Sequence, residues 1–248
     1  MLVVSHVTKK YHKTIANNDI NLMIPEGKIG VLLGPNGAGK STIIKCIIGF
    51  LKYDGQITIQ GMPNKSLESK TMIGYVPEIP SFYPNLTVEE HLEFIAKAYK
   101  LTDYKDHMNE LLDRFELSDK RNKFGDELSK GMRQKLSICC GLITRPKLII
   151  FDEPMIGLDP HAIKELKLIF KELANNGCSV LVSTHMIDSI EDLWDVTYIM
   201  QNGEVKACVQ KEQLADSDQK LEDIFFEITE GLSPEAMSDS TEATEGEV

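Results

Sequence analysis

Apolar and polar residues alternate over positions 2–6 and 20–24, the period-two pattern of strands that bury one face. Positions 29–33, Ile-Gly-Val-Leu-Leu, carry no polar side chain, as in a strand covered on both faces, so the central sheet is predicted to be mixed. A glycine-rich loop follows. Beyond it, 41–51 predicts a helix on which Ile43, Ile44, Ile47 and Ile48 form one broad apolar face. Asp54 and Gly55 open another alternating segment over 56–60, closed by Gly61 and Pro63. From 88 to 117 the period becomes helical, with charged faces of Glu, Lys and Asp, and no strand pattern intervenes before Leu148. A helical insertion over about 79–145 is the expectation. Short buried strands at 148–151 and 179–183, separated by a helix from about 161 to 175, predict parallel βαβ winding. Positions 197–200 and 204–208, joined through Gln201-Asn202-Gly203, read as a hairpin. No internal repeat is present.

Composition narrows the class. The 248 residues are 42% hydrophobic and 26% charged, with 17 Gly and 10 Pro, which fits one large globular domain or two lobes on a shared core. Lys and Arg number 27 against 38 Asp and Glu, a net charge of −11 that disfavours generic binding to a nucleic-acid backbone. The five cysteines, Cys46, Cys139, Cys140, Cys178 and Cys208, are odd in number and lack CxxC spacing, so they read as reduced core residues. No run approaches the roughly 18 apolar residues of a membrane span, and the N-terminus lacks a secretory pattern. After Gly231 the chain has five acidic residues and no basic ones, and a disordered acidic tail over 231–248 is expected.

The candidate chemistry begins in the glycine-rich loop. Gly34-Pro35-Asn36-Gly37-Ala38-Gly39-Lys40-Ser41 matches GxxxxGK[ST] between a buried strand and a helix, the context a phosphate-binding loop requires. Its glycines let successive N–H groups point inward at phosphates, and the helix N-terminus adds positive potential. Lys40 is placed to neutralise the β- and γ-phosphates, Ser41 to ligate Mg²⁺, and Thr42 to help hold the phosphates. The strand at 148–151 runs into Asp152-Glu153. Asp152, expected on a strand beside the phosphate-loop strand, suits a Mg²⁺-associated carboxylate, and Glu153 suits polarising a water.

Further elements follow in a fixed order. Leu128-Ser129-Lys130-Gly131-Met132 resembles the LSGGQ signature of the ATP-binding cassette family; Gly157-Leu158-Asp159 and the His185 of Ser183-Thr184-His185 resemble its D-loop and switch histidine. The resemblance covers 1–230 and implies a single nucleotide-binding domain. It implies an α/β P-loop NTPase core with a mixed, largely parallel sheet, an N-terminal antiparallel β-subdomain and the inserted helical subdomain. Tyr11 would then stack on adenine, Glu153 act as general base and His185 contact the γ-phosphate, with Mg²⁺ at Ser41, Glu78 and Asp152. Ser129, Gly131 and Asp159 would complete a second cassette's ATP site in a head-to-tail dimer.

Two departures from the family pattern stand out. Lys130 and Met132 replace two signature residues, in a form similar to export-type cassettes with separately encoded permeases. Glu78, in Gly74-Tyr75-Val76-Pro77-Glu78, replaces a glutamine; a carboxylate ligates Mg²⁺ but donates no hydrogen bond. The family implies a peripheral protein on the cytoplasmic face of the membrane, partnered by an integral permease on another chain and by a second cassette in a homo- or heterodimer. Phe82 and Tyr83 either line the permease's docking groove or pack the base of the insertion. Two rival readings remain: a soluble cassette ATPase with a non-membrane partner, and a low-activity regulatory cassette.

Overall fold

The computed structural model describes residues 1–190, 193–215 and 219–231; the acidic tail expected over 231–248 lies outside them beyond its first residue. Two sheets form. The first is antiparallel, in the order β2-β1-β4-β5, from β1 (Leu2–Tyr11), β2 (Thr14–Ile24), β4 (Asp54–Ile59) and β5 (Met62–Pro63). The second has six strands in the order β10-β9-β3-β8-β7-β6, from β3 (Ile29–Leu33), β6 (Ile73–Val76), β7 (Leu148–Asp152), β8 (Ser179–Thr184), β9 (Val196–Gln201) and β10 (Glu204–Gln210). All its neighbours are parallel except β9 and β10, so the sheet is mixed as predicted.

Every residue of β3, β7 and β8 is buried, which explains their unbroken apolar runs. Alternate side chains serve two cores. Ile149, Phe151, Val180 and Val182 pack toward the helical layer, while Leu148, Ile150 and Leu181 pack toward α1 (Lys40–Ile47) and the antiparallel sheet. The helical layer comprises α3 (Val88–Ala98), α4 (Lys105–Arg114), α5 (Lys130–Leu142) and α6 (Pro160–Asn175). Three of these helices lie in the stretch expected to be a helical insertion. Arg114 fastens α4 to α6 through Glu165 and a two-pronged contact with Glu172 at 2.7 and 3.1 Å. The small α2 (Leu67–Thr71), α7 (Lys211–Ala215) and α8 (Leu221–Glu230) complete the described fold. No helix among the described residues is long and apolar enough to cross a membrane.

Four expectations change. The strand carrying Asp152 is not beside the phosphate-loop strand: β8 lies between β3 and β7 and pairs with both. A βαβ crossover through α6 returns the chain to the side of β7 that faces β3, and apolar runs alone carry no strand order. The helix expected over 41–51 ends at Ile47, because Gly49 turns left-handed at φ +81° and the N–H groups of Gly49 and Phe50 close the helix on the carbonyls of Cys46 and Lys45. Strand β6 was not predicted, since Gly74 and the short span hide it. Cys208 is exposed on β10, whereas burial pushes the thiols of Cys46 and Cys178 up to about 11 and that of Cys140 up to about 12. Successive side chains of β10 point to opposite faces, so Ala207 and Val209 pack on the core while Cys208 between them is exposed.

Candidate functional site

Strand β3 delivers the chain into the loop at 34–39, whose Gly37 and Gly39 sit at φ +83° and +101°, conformations that favour glycine. Gly39 caps α1 with no side chain, so first-turn N–H groups are left for an anion. Lys40 folds back over the loop. Its ammonium donates to the Gly34 carbonyl at 2.7 Å and the Pro35 carbonyl at 3.3 Å, and lies 3.4 Å from Glu153 Oε1 with both side chains buried. Gly34 and Pro35 thus hold the lysine and are not part of the cavity wall.

The opposite wall comes from the ends of β7 and β8. Asp152 Oδ1 accepts hydrogen bonds from Ser41 Oγ at 3.2 Å and from Ser183 Oγ. Helix α1 packs across the sheet onto β7, so Asp152 meets Ser41 despite the intervening strand. Glu153 is a non-glycine at φ +48°, a conformation costing about 1–3 kcal/mol that persists when surrounding bonds fix it. Here its N–H donates to both the carbonyl and the hydroxyl of Ser183, at 3.1 and 3.2 Å. The twist turns its carboxylate between Lys40 and His185, whose Nδ1 approaches Oε2 to 3.1 Å but lies off the hydrogen-bond direction.

Gly37, Gly39, Lys40, Ser41, Glu153 and His185 border a cavity of about 640 Å³ that also takes in Asn36, Ala38, Thr42 and Glu78, with Asp152 and Ser183 buried behind its lining. Beyond the sequence-predicted residues, Thr14, Ile15 and Ala16 of β2 and the turn Asn202-Gly203 close it. Asn202-Gly203 had a signal only as a hairpin turn, and Ser183 only as a neighbour of His185. The remaining predicted residues stand elsewhere. Tyr11, at the end of β1, is 42% exposed and lies outside the cavity lining, with the Lys9 ammonium 4.7 Å above its ring. Ser129 caps α5 through the Met132 N–H at 3.3 Å, and Gly131 faces the Gly157 carbonyl so closely that a Cβ would lie 3.0 Å from it. Asp159 caps α6 through the Ala162 N–H at 2.8 Å and pairs with Lys135 at 2.8 Å; the lysine, then the N–H, hold its carboxyl below the usual range.

A second cavity, of about 470 Å³, opens between α1 and the helical layer and is lined by Phe50, Tyr75, Phe82, Tyr83, Phe94 and Tyr99 among others. The two alternatives for its aromatics divide. Phe82 packs against the core, whereas Tyr83 is 58% exposed.

A phosphate loop with a buried lysine, an acidic pair on the next-but-one strand and a histidine between them has counterparts among known proteins. Residues 17–156 match the family model described as ABC transporter. The chain is 38% identical over 233 residues to the uncharacterised ABC transporter ATP-binding protein YdbJ of Bacillus subtilis, covering 92% of this chain and 74% of that one. It is 35% identical over 238 residues to the ABC-type transporter ATP-binding protein EcsA of the same species, covering 92% and 96%. With the lantibiotic transport ATP-binding protein SrtF of Streptococcus pyogenes the identity is 34% over 226 residues, covering 91% and 96%. Among solved structures, an ATP-binding subunit of an ABC transporter superposes with a TM-score of 0.87 at 34% identity, over 92% and 99% of the two chains. The dimeric cassette MJ0796 follows at 0.77 and 27%, over 85% and 98%. The chain therefore belongs to the ABC transporter family, as an ATP-binding and ATP-hydrolysing transport subunit.

Proposed function

We propose that this subunit drives an export-type permease encoded on a separate chain, working at the cytoplasmic face of the membrane in a dimer of cassettes. The observation that carries the catalytic part is the Glu153 carboxylate held between Lys40 and His185 at the phosphate loop. Lys40 pairs with Glu153. A triphosphate on the loop competes for the ammonium, and Glu153 is then released to take a proton from the attacking water, with His185 steadying the γ-phosphate. Ser41 Oγ and Asp152 Oδ1, 3.2 Å apart, with Glu78 lining the same cavity as Ser41, form a set of hard oxygen donors that fits Mg²⁺. Bound there, the cation supplies positive charge to the phosphate oxygens.

The unit is residues 1–230, with the insertion at 79–145 as its moving lobe. Ser129, Gly131 and Asp159 lie outside their own chain's cavity, which fits a role in a partner cassette's site; the similar cassette MJ0796 is a dimer. Tyr11, half-exposed at a strand end, is available for adenine. The aromatic cavity at Phe50, Tyr83 and Phe94 fits a short cytosolic helix of the permease, with side chains that Leu or Phe anchors would bury. The export direction draws on the LSKGM form of the signature and on relatives such as SrtF, named for lantibiotic transport.

Turnover and nucleotide binding of Glu153→Gln and Lys40→Ala test this reading. Glu153→Gln is expected to keep ATP affinity, lose at least about a hundredfold in turnover, and dimerise in ATP and Mg²⁺. Lys40→Ala is expected to lose both binding and turnover. Wild-type turnover in Glu153→Gln, or monomers only under those conditions, would refute the catalytic and shared-site parts respectively.

A further inference from the structure

We propose that Asn17, a fully buried carboxamide on β2, is a positioning residue that aims the phosphate loop's Gly39–Lys40 peptide at the bound nucleotide. Asn17 Nδ2 donates to the Gly39 carbonyl at 3.2 Å, and the same carbonyl accepts the Ile43 N–H of α1 at 3.0 Å. In a trans peptide the C=O and the following N–H point in opposite directions. Two donors fixing the Gly39 carbonyl therefore fix the Lys40 N–H on the other side of the peptide plane. They also polarise the peptide, which strengthens that N–H as a donor to an anion.

The fit is close enough to make this contact specific. A Cβ on Gly39 would come 2.5 Å from Asn17 Nδ2 and 2.8 Å from the Ala16 carbonyl, so loop and strand are in direct contact. From the other side, the hairpin turn joins the clamp: Gly203 N–H donates to the Ala38 carbonyl at 3.1 Å, and Asn18 N–H donates to the Gly203 carbonyl at 2.8 Å. Ala38 and Gly39 are thus held between the antiparallel sheet and the β9–β10 turn.

The choice of residue is the telling part. The other buried side chains of β2 are Ile20, Leu22 and Ile24, all apolar. Asn17 Oδ1 is buried and has no hydrogen-bond partner among the described residues, and rotating the amide would place that oxygen against the Gly39 carbonyl, two acceptors face to face. An apolar residue would spare the molecule this orphaned acceptor. What the amide adds in exchange is its donor to Gly39, so a role in nucleotide binding predicts a split between stability and affinity that a packing role does not.

The proposal rests on the phosphate-loop reading, and Lys40→Ala serves as its control. Binding of AMP-PNP and thermal stability are measured for wild type, Asn17→Leu, Asn17→Ala and Lys40→Ala, together with ATPase kcat and KM. Both Asn17 variants are expected to lose about three- to tenfold in affinity, with the loss in KM more than in kcat, and Asn17→Leu to melt no lower than wild type. Lower melting with wild-type affinity in the folded protein would make Asn17 a packing residue and overturn the proposal. Affinity lost in Lys40→Ala but not in the Asn17 variants would overturn it alone; affinity retained in all three would remove the loop assignment itself. Should neither Asn17 variant fold, the wild-type side-chain amide is followed by NMR. Its protons are expected to be protected from exchange and to shift on adding AMP-PNP, and an exchanging, unshifted amide refutes the inference.

Discussion

Helix α4 ends in a way that invites a quantitative test. The N–H of Leu117 bonds the Leu112 carbonyl at 2.8 Å and the N–H of Glu116 bonds the Asp113 carbonyl at 3.1 Å, the paired bonds of a Schellman termination. Leu117 and Leu112 are both fully buried in the same core, completing the motif. The left-handed position at its centre, φ +56°, is occupied by Glu116, where glycine is the residue that pays no steric penalty. A left-handed non-glycine costs about 1–2 kcal/mol. Against that, the Glu116 carboxylate meets the Lys135 ammonium at 3.2 Å, and an ion pair with so exposed a carboxylate contributes about 0.2–1 kcal/mol. Glu116→Ala keeps the strain and loses the pair, so it should destabilise by about 0.2–1 kcal/mol. Glu116→Gly loses the pair but relieves the strain, and should be more stable than Glu116→Ala by about 1 kcal/mol. For a chain of this size that difference is about 2–4 °C in Tm. Calorimetry or urea unfolding of the three proteins, at low and high salt, measures both terms. The stability difference between wild type and the alanine variant should shrink at high salt. A glycine variant melting at or below the alanine variant would show that the turn carries no strain, and the reasoning would fail.

Two shorter predictions use other contacts. The Tyr198 hydroxyl on β9 accepts the Met23 N–H at 2.8 Å and donates to the Met23 carbonyl at 2.9 Å, satisfying the outer edge of β2. Burial pushes this phenol up to about 12, so it stays protonated; Tyr198→Phe should lower stability by about 1–2 kcal/mol in chemical unfolding, and an unchanged midpoint would show that water replaces it freely. For Asp159, the carboxyl is held down by Lys135 and the Ala162 N–H, so its stabilising contribution is complete above the ordinary carboxylate range and is lost as pH falls through its lowered value. Asp159→Asn should therefore flatten the acid limb of stability against pH below about 4, and superimposable acid limbs would contradict the assignment.

What could be read from the residues alone follows physical lines. Strands β3, β7 and β8 are legible because burial on both faces forces unbroken apolar runs, and the phosphate loop because its glycines and lysine sit at fixed spacing between two such elements. Strand order is not legible, since pairing is made through backbone groups that every residue shares; hence β8 came between β3 and β7 unannounced. Strand β6 escaped because four residues with a glycine carry little period. Asn17 escaped for a different reason: a lone amide among apolar strand positions looks like any solvated strand residue until the loop that packs on it is known.

The two left-handed glutamates show how much of the site lies in backbone geometry. At Glu116 the side chain plays a small electrostatic part, and the turn would be better served by glycine. At Glu153 the same backbone conformation is what swings the carboxylate from the line of β7 into the gap between Lys40 and His185. A glycine there would relieve comparable strain and remove the carboxylate that faces Lys40. Ser183 enforces the twist with two bonds to the Glu153 N–H, while its hydroxyl also holds Asp152. The two adjacent carboxylates are thus turned in different directions by a single serine on the neighbouring strand, Asp152 toward Ser41 and Glu153 toward Lys40. That division of labour needs β8 between β3 and β7, which ties the site's chemistry to the strand order that the apolar pattern left open.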